Sequence, residues 1–440
     1  KHPFNTILQY TPSIGIPFER YHKLNMNIAQ QMCVRRWLAS TLRLVAALAC
    51  CTFALPASAT PLAPLACSDG VQSSGAAYRI CMPEQWNNRL IVYAHGYVAP
   101  NRPVGIPEDQ MRLPGSAFTV DQLVTGQGYA FATSSYSTNG LAIQPGIADL
   151  LDVVTIFAAQ KGTPEKVMLV GVSEGGAMTV LAVEQHPEIF DGGLALCGPY
   201  GSFRNQINYF GDFRVLFDYF LPEAMPASAV DVPAELLDTW ETAYYTNTVQ
   251  PVLTDVANAA KVDQLLATSG APFDQADGTT KVESIKDLLW YNVFATNDAR
   301  AKLGGQPFDN LWQVYTGSSD NVALNQQAAR FSADQLALDA LASGYETTGH
   351  LSRPLITLHT TGDPIVPYWQ ATQYRGKTIV ADNIALHENI AVDAYGHCRF
   401  STFDVLNAFA RLVALVDTPP AYQPVQRIYL PVITMSPADL

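Results

Sequence analysis

The sequence predicts an α/β fold, a mostly parallel sheet with helices on both faces, interrupted by a large and mainly helical cap insertion. Short, near-continuous apolar runs alternate with segments of helical periodicity, as expected of strands buried on both faces. The alternation stops at Gly198-Pro199 and resumes only at Pro354. With 440 residues, 48% of them hydrophobic and 15% charged, the chain can fill one core and still carry an insertion.

The elements follow in order. Residues 1–25 begin with Lys1 and precede Met26, and they read as upstream or vector sequence. Arg35 and Arg36, an apolar run from Leu44 to Leu55, and Ala57-Ser58-Ala59 then make up a secretory signal with cleavage before Thr60. The apolar run is shorter than the ~20 residues that a bilayer span needs. The expected location is secreted or periplasmic, with no stable membrane insertion after signal cleavage. Cys67 to Cys81 brackets a hairpin, and Leu90–Ala94 is the first main strand, ending at His95-Gly96-Tyr97. Tyr129–Thr133 is a second strand. Ile147, Leu150, Leu151, Val154 and Phe157 have helical spacing. Lys166–Val170 runs into Gly171-Val172-Ser173-Glu174-Gly175-Gly176, followed by a helix to about His186 and a strand at Gly193–Leu196. After the insertion come strands at Pro354–His359 and near Ile390–Val392, then a closing helix from Thr402 to Val416. The expected organisation is 1–59 extension and signal, 60–199 and 351–418 core, 200–350 cap, and 419–440 tail or edge strand.

The formal net charge of -13 and a pI of about 5.0 argue against nucleic-acid partners, because an acidic surface repels phosphates. Four cysteines remain after the signal: Cys67, Cys81, Cys197 and Cys398. In an oxidising compartment they suggest two disulfides, with three connectivities open. No CxxC pair or Cys/His spacing points to a metal site.

The chemistry is carried by Gly171-Val172-Ser173-Glu174-Gly175, a G-x-S-x-G pattern set between an apolar strand and an Ala/Leu/Val helix. So tight a turn needs small neighbours, and it lifts the serine hydroxyl above the strand ends. It also frees the N–H of Glu174 at a helix N-terminus to stabilise an oxyanion. A serine nucleophile needs a base, and the base needs an orienting acid. His397 follows the last strand and precedes the closing helix, in Tyr395-Gly396-His397-Cys398. Asp363 directly follows an apolar strand in Gly362-Asp363-Pro364, with Asp393 as the runner-up. The N–H of Tyr97 is the expected second oxyanion donor, and His95 shapes that loop. Acyl transfer by such a set requires no metal and no organic cofactor.

Taken together, His95-Gly96, the elbow, Gly362-Asp363-x-x-Val366-Pro367 and Gly396-His397 resemble the α/β-hydrolase superfamily over residues 85–200 and 350–416. The Ser-Glu-Gly-Gly elbow and the Asp-Pro-x-Val-Pro turn look most like secreted bacterial members described as prolyl-oligopeptidase-like. The short stretch between the expected cleavage site and the first main strand leaves no room for the propeller that true prolyl oligopeptidases carry. The resemblance therefore favours an esterase, acting on small or polymeric ester substrates, over an aminopeptidase-like amidase or a binding protein that keeps the fold. Feruloyl esterases and tannases offer a second comparison, because some place one cysteine beside the serine and its partner beside the histidine. Here Cys398 follows His397, but Val172 precedes Ser173, so the motif is half present. The comparison implies a Cys197–Cys398 bridge holding the histidine loop, with Cys67–Cys81 closing the hairpin.

The cap opens with a run in which Tyr209, Phe213, Phe217 and Phe220 share a helical face. Tyr209, Phe213 and Phe217 are the expected lining of a pocket for an apolar or aromatic acyl group.

Overall fold

The computed structural model describes residues 66–112, 116–222, 224–226 and 228–419. The expected signal, residues 1–25 and all but the first residue of the expected C-terminal tail lie outside the described residues. Among the described residues eight strands form one sheet: β1 (Ala66–Val71), β2 (Ala77–Met82), β3 (Arg89–Ala94), β4 (Ala130–Ser134), β5 (Lys166–Val172), β6 (Gly192–Leu196), β7 (Leu355–Gly362) and β8 (His387–Tyr395). Their spatial order is β1-β2-β4-β3-β5-β6-β7-β8. The β1/β2 and β2/β4 pairs are antiparallel and the remaining pairs are parallel.

The apolar runs form strands because both of their faces are covered. Leu90, Val92, Ala94 and Leu169 pack on one side, against helices α2 (Ile143–Lys161) and α3 (Glu174–Gln185). Their neighbours Ile91, Tyr93, Met168 and Val170 pack on the other, where α1 (Val120–Thr125) and the C-terminal helix Thr402–Asp417 lie. This is the two-residue period of a strand, read off one sheet as two separate cores. β8 is three times as long as the apolar stretch Ile390–Val392 that signals it. Among the described residues it pairs only with β7 and it is half-exposed, so polar residues such as Glu388 and Asp393 belong to it and hide its limits.

Seven α-helices lie between β6 and β7: α4 (Phe203–Phe220), α5 (Ala234–Thr239), α6 (Gln250–Thr254), α7 (Ala259–Ser269), α8 (Thr280–Lys302), α9 (Asn321–Gln327) and α10 (Gln335–Gly344). They enclose their own apolar core, with Phe213, Phe217, Leu265, Leu289 and Phe294 at its centre. Arg214, 1% exposed, binds Asp218 on its own helix and donates to Asn292 Oδ1 at 2.7 Å, joining α4 to α8. At the other end of α8, Lys302 pairs with Asp298 at 2.9 Å, and Asp298 accepts the Leu141 N–H at 2.6 Å. The insertion is thereby tied to the loop leading into α2. Helix α11 (Trp369–Val380) follows β7, and α12 (Thr402–Asp417) closes the described chain. No helix among the described residues is long and apolar enough to cross a membrane.

One consequence of the strand order positions the site. β3 and β5 are neighbours, and the chain leaves β3 for β4 on one side and β5 for β6 on the other, so their connections run in opposite directions. A crevice opens at the carboxyl ends of such a pair, where ligands bind in open α/β sheets. His95-Gly96-Tyr97 leaves the end of β3, and Ser173 leaves the end of β5.

Candidate active site

Ser173 has φ 57° and ψ -120°, a strained conformation for a non-glycine residue, between the last residue of β5 and the first of α3. Its N–H donates to Leu196 O at 2.9 Å, which holds the turn against β6. The flanking glycines are dictated by space. A Cβ on Gly171 would lie 2.0 Å from Gly175 O, and one on Gly175 would lie 2.1 Å from Ala94 O. The hydroxyl is thus forced upward out of the sheet.

Asp363 follows β7 and is fully buried. Its Oδ1 accepts the N–H groups of Ile365 and Val366, both at 2.9 Å, which fixes the carboxylate. Its Oδ2 lies 2.7 Å from His397 Nδ1, and His397 Nε2 lies 2.8 Å from Ser173 Oγ. With the imidazole proton donated from Nδ1 to Asp363, Nε2 is left to accept from the serine hydroxyl. The histidine is held from both sides in sequence. Gly396 (φ 105°) donates its N–H to Gly362 O at 3.1 Å, and its carbonyl accepts from the Thr360 hydroxyl at 2.8 Å. Cys398 is disulfide-bonded to Cys197 at the end of β6, and both have positive φ, 55° and 45°. A second disulfide joins Cys67 to Cys81 across β1 and β2.

His359 lies beneath the carboxylate, 3.8 Å from Asp363 Oδ2. Burial lowers its pKa, and it is committed to Val366 O at 2.7 Å and the Tyr200 hydroxyl at 2.9 Å. It therefore supports the Asp363 turn as a neutral ring. Asp393, the alternative acid, is exposed and accepts from the Thr361 hydroxyl at 3.3 Å.

The loop after β3 adjoins the serine, since a Cβ on Gly96 would stand 3.1 Å from Ser173 Cβ. Gln110, in the 3₁₀ turn Glu108–Met111, clamps this loop. Its Oε1 accepts from the Gly96 N–H at 2.8 Å, and its Nε2 donates to Tyr97 O at 3.1 Å. Gln110 thereby holds the residues on both sides of the Gly96–Tyr97 peptide link. The His95 ring stacks on Tyr136 at 3.9 Å, burial pulls its pKa down to about 4, and the neutral ring donates from Nδ1 to Gly96 O at 2.8 Å, which holds the Gly96–Tyr97 peptide. Gln110 carries no recognisable motif, and sequence reasoning missed it.

A cavity lies beside Ser173, lined by Tyr97, Glu174, Phe203, Ile207, Phe210 and Tyr291 among others. Its wall is almost entirely apolar. Gln206 is spent on Ile365 O at 2.7 Å. Glu174 is 6% exposed; its Oε1 accepts the Ala142 N–H at 3.0 Å, and its Oε2 has no hydrogen-bond partner. Burial pushes its pKa up to about 8, so the carboxyl is mostly protonated at neutral pH. The Tyr291 ring stacks on Phe210 at 5.0 Å, and its hydroxyl is turned toward Ser173.

The expected pocket residues are corrected. Phe213 and Phe217 have no exposed surface and lie in the core of the insertion, and Tyr209 donates its hydroxyl to Pro364 O at 2.8 Å. The lining comes from the adjacent face of α4, Phe203, Gln206, Ile207 and Phe210. Helix α4 is apolar on two sides because it packs both on the sheet top and on α7 and α8. An apolar stripe does not say which of the two neighbours it meets.

Two clusters bring together three residue types that bind metals: Cys197, His397 and Cys398, and Cys67, Cys81 and Asp121. In each, the two cysteines are joined to one another, so neither offers a thiolate.

The prolyl oligopeptidase family model matches residues 124–207, from the end of α1 through the elbow to the first turn of α4. No curated protein sequence matches. Solved structures similar to the chain include an esterase of Pyrococcus furiosus (TM-score 0.42, 11% identity, 80% of this chain and 90% of that one). Feruloyl esterase B of Aspergillus oryzae is another (TM-score 0.43, 14% identity, 80% and 81%). An acylaminoacyl peptidase of Pyrococcus horikoshii is a third (TM-score 0.41, 12% identity, 81% of this chain), of which the chain spans 42%. The sheet order, with its antiparallel β2 and the elbow after β5, is that of the α/β-hydrolase fold. The Asp363–His397–Ser173 arrangement is of the kind that serine hydrolases use, and the family match includes its elbow.

Proposed function

We propose that this protein is an exported serine esterase in which Ser173 is the nucleophile, His397 the general base and Asp363 the acid that orients it. The observation that carries this reading is the unbroken path from Asp363 Oδ2 through His397 to Ser173 Oγ, opening on an apolar cavity. Ser173 Oγ attacks the ester carbonyl as its proton passes to His397 Nε2. The N–H groups of Tyr97 and Glu174 hold the oxyanion. The alcohol leaves with the proton carried by His397, and water then repeats the sequence on the acyl-enzyme. Export is supported by the basic-apolar-small pattern before Thr60 and by the two disulfides.

An ester is favoured over a peptide by the cavity wall. A peptide carries an N–H and a C=O at every residue, and burying them unpaired costs about 1–3 kcal/mol each. Gln206 is already committed, which leaves Glu174 as the lining carboxyl with an unpartnered oxygen among the described residues. That same free oxygen, with the prolyl oligopeptidase match, favours a second reading, an amidase that binds a substrate amine.

A fluorophosphonate probe tests the mechanism. Wild type is expected to be labelled at Ser173, and Ser173→Ala is expected to lose both labelling and hydrolysis without a change in melting temperature. Label on another residue overturns it. Matched ester and amide substrates of one acyl group separate the two readings, the esterase reading requiring the ester to be preferred by more than the difference in leaving-group reactivity.

A further inference from the structure

Two cavities meet where α4 faces α8. Ile207, Phe210, Tyr291, Ala295 and Ala299 line both. One cavity also touches Ser173, Tyr97 and Glu174; the other continues past Gly211 and Phe308 toward Arg300. His397 lines neither. This asymmetry fixes a direction. The leaving alcohol takes its proton from His397 Nε2 and so departs on the histidine side. The space that touches the nucleophile and both oxyanion residues, but not His397, is left for the acyl part. Its lining is hydrocarbon and aromatic apart from Glu174, which burial keeps largely uncharged, and Gln206, which is bonded to backbone.

We propose that the two cavities are successive parts of one acyl-binding channel, and that the preferred substrates are esters of an unbranched hydrocarbon acid of about eight carbons. The proposal rests on the esterase reading with Ser173 as nucleophile. From Phe203 to Gly211 the channel follows α4 for roughly 12 Å, the reach of an acyl chain of ~8–10 carbons. The residues that line both cavities include the stacked Phe210–Tyr291 pair and the small side chains of Ala295 and Ala299, about one turn apart on α8. A chain threads past the two alanines. In the reaction, Ser173 Oγ bonds to the acyl carbon and the alkoxide leaves with the proton that His397 took from the serine. The chain stays in the channel until water releases it as the free acid.

The test is kcat/KM for p-nitrophenyl esters from acetate to laurate, which keep one leaving group. Burying a methylene favours binding roughly fourfold, and the octanoate is expected to exceed the acetate by ~100-fold or more. Ala295→Leu, which puts a larger side chain where both cavities share their lining, is expected to lower the octanoate-to-acetate ratio at least ~10-fold. Phe210→Ala, which joins the cavities, is expected to move the optimum to the laurate. Wild type with a flat profile, or both variants with an unaltered ratio while fluorophosphonate still labels the serine, overturns the channel. Failure of that labelling in wild type overturns the underlying esterase reading instead. Circular dichroism of each variant establishes that it has folded, and either variant alone suffices.

Discussion

Glu174 carries the sharpest quantitative prediction, because the fold holds a carboxyl group where its ionised form is poorly solvated. Burial raises its pKa from an ordinary 4.5 to about 8, against a lowering by the Ala142 N–H, a smaller one by Lys302 and a raising by Asp298. Between these two values the folded protein holds a proton that the unfolded chain has released. Stability therefore falls as the pH rises from about 4.5 to about 8 and is level beyond it. The full difference, from the pKa values themselves, is ~5 kcal/mol, an upper limit because ionisation invites local rearrangement. Glu174→Gln has the shape of the protonated acid and no titration. Its unfolding free energy relative to wild type, from urea denaturation, is expected to be unchanged or slightly lower at pH 4.5. It is expected to be higher by several kcal/mol at pH 9, with the gain accruing between those values. Other groups titrate in both proteins and cancel in the difference. The same charge lies one residue from the proposed oxyanion, so ester hydrolysis by wild type is expected to decline above about pH 8, and that by Glu174→Gln to remain level. A stability difference that is constant from pH 4.5 to 9 refutes the reasoning, since a buried carboxyl with an unpartnered oxygen cannot ionise there without cost.

Four further perturbations probe the architecture around it. Gly175→Ala drives a methyl to 2.1 Å from the Ala94 carbonyl, a backbone atom with nowhere to go; a loss of about 3 kcal/mol or more and of fluorophosphonate labelling is expected in denaturation and labelling assays. Replacing Cys197 and Cys398 together by alanine opens a loop of 201 residues, with an expected loss of ~5 kcal/mol and slower labelling. Replacing Cys67 and Cys81, 14 apart, is expected to cost ~3 kcal/mol and to leave the labelling rate alone, because that hairpin lies at the far edge of the sheet. Gln110→Ala removes two of the bonds that hold the Gly96-Tyr97 loop, and steady-state kinetics are expected to show kcat down roughly 10- to 100-fold with KM changed less than about threefold. A fall in KM affinity instead would make Gln110 a substrate-binding residue.

The parts of this molecule that were legible in the sequence are those where a local rule constrains the chain. Leu90–Ala94 and Lys166–Val170 announce buried strands because every position needs an apolar residue. Gly171 and Gly175 mark the elbow because no side chain fits there. Ser173, Asp363 and His397 could be picked in order because each occupies the carboxyl end of a strand or the loop beyond it. What could not be read depends on which surfaces meet. Gln110 is an ordinary polar residue until the 3₁₀ turn brings it under Gly96. The α4 sequence shows rings at Tyr209, Phe213 and Phe217, and also at Phe203 and Phe210, one face over. Only the docking of α8, through Asn292 on Arg214 and Tyr291 on Phe210, decides which face becomes core and which becomes wall.

Glu174 shows the same limit from the other direction. Its backbone role follows from its place after the serine, since the first N–H of α3 is left without a partner in its own helix. Its side chain is a different matter. The sequence places a carboxyl at a helix N-terminus, where the dipole favours a negative charge, and that reasoning alone predicts a lowered pKa. The structure reverses the sign, because α3 begins buried between the β3 loop and the α2 approach, and desolvation outweighs the dipole and the single N–H of Ala142. The consequence is chemical. A carboxylate fixed beside the oxyanion would oppose the negative charge that forms there, whereas a protonated one leaves the field of the two N–H groups intact. On the proposed mechanism, a glutamate next to Ser173 is compatible with an oxyanion there because burial favours its protonated form.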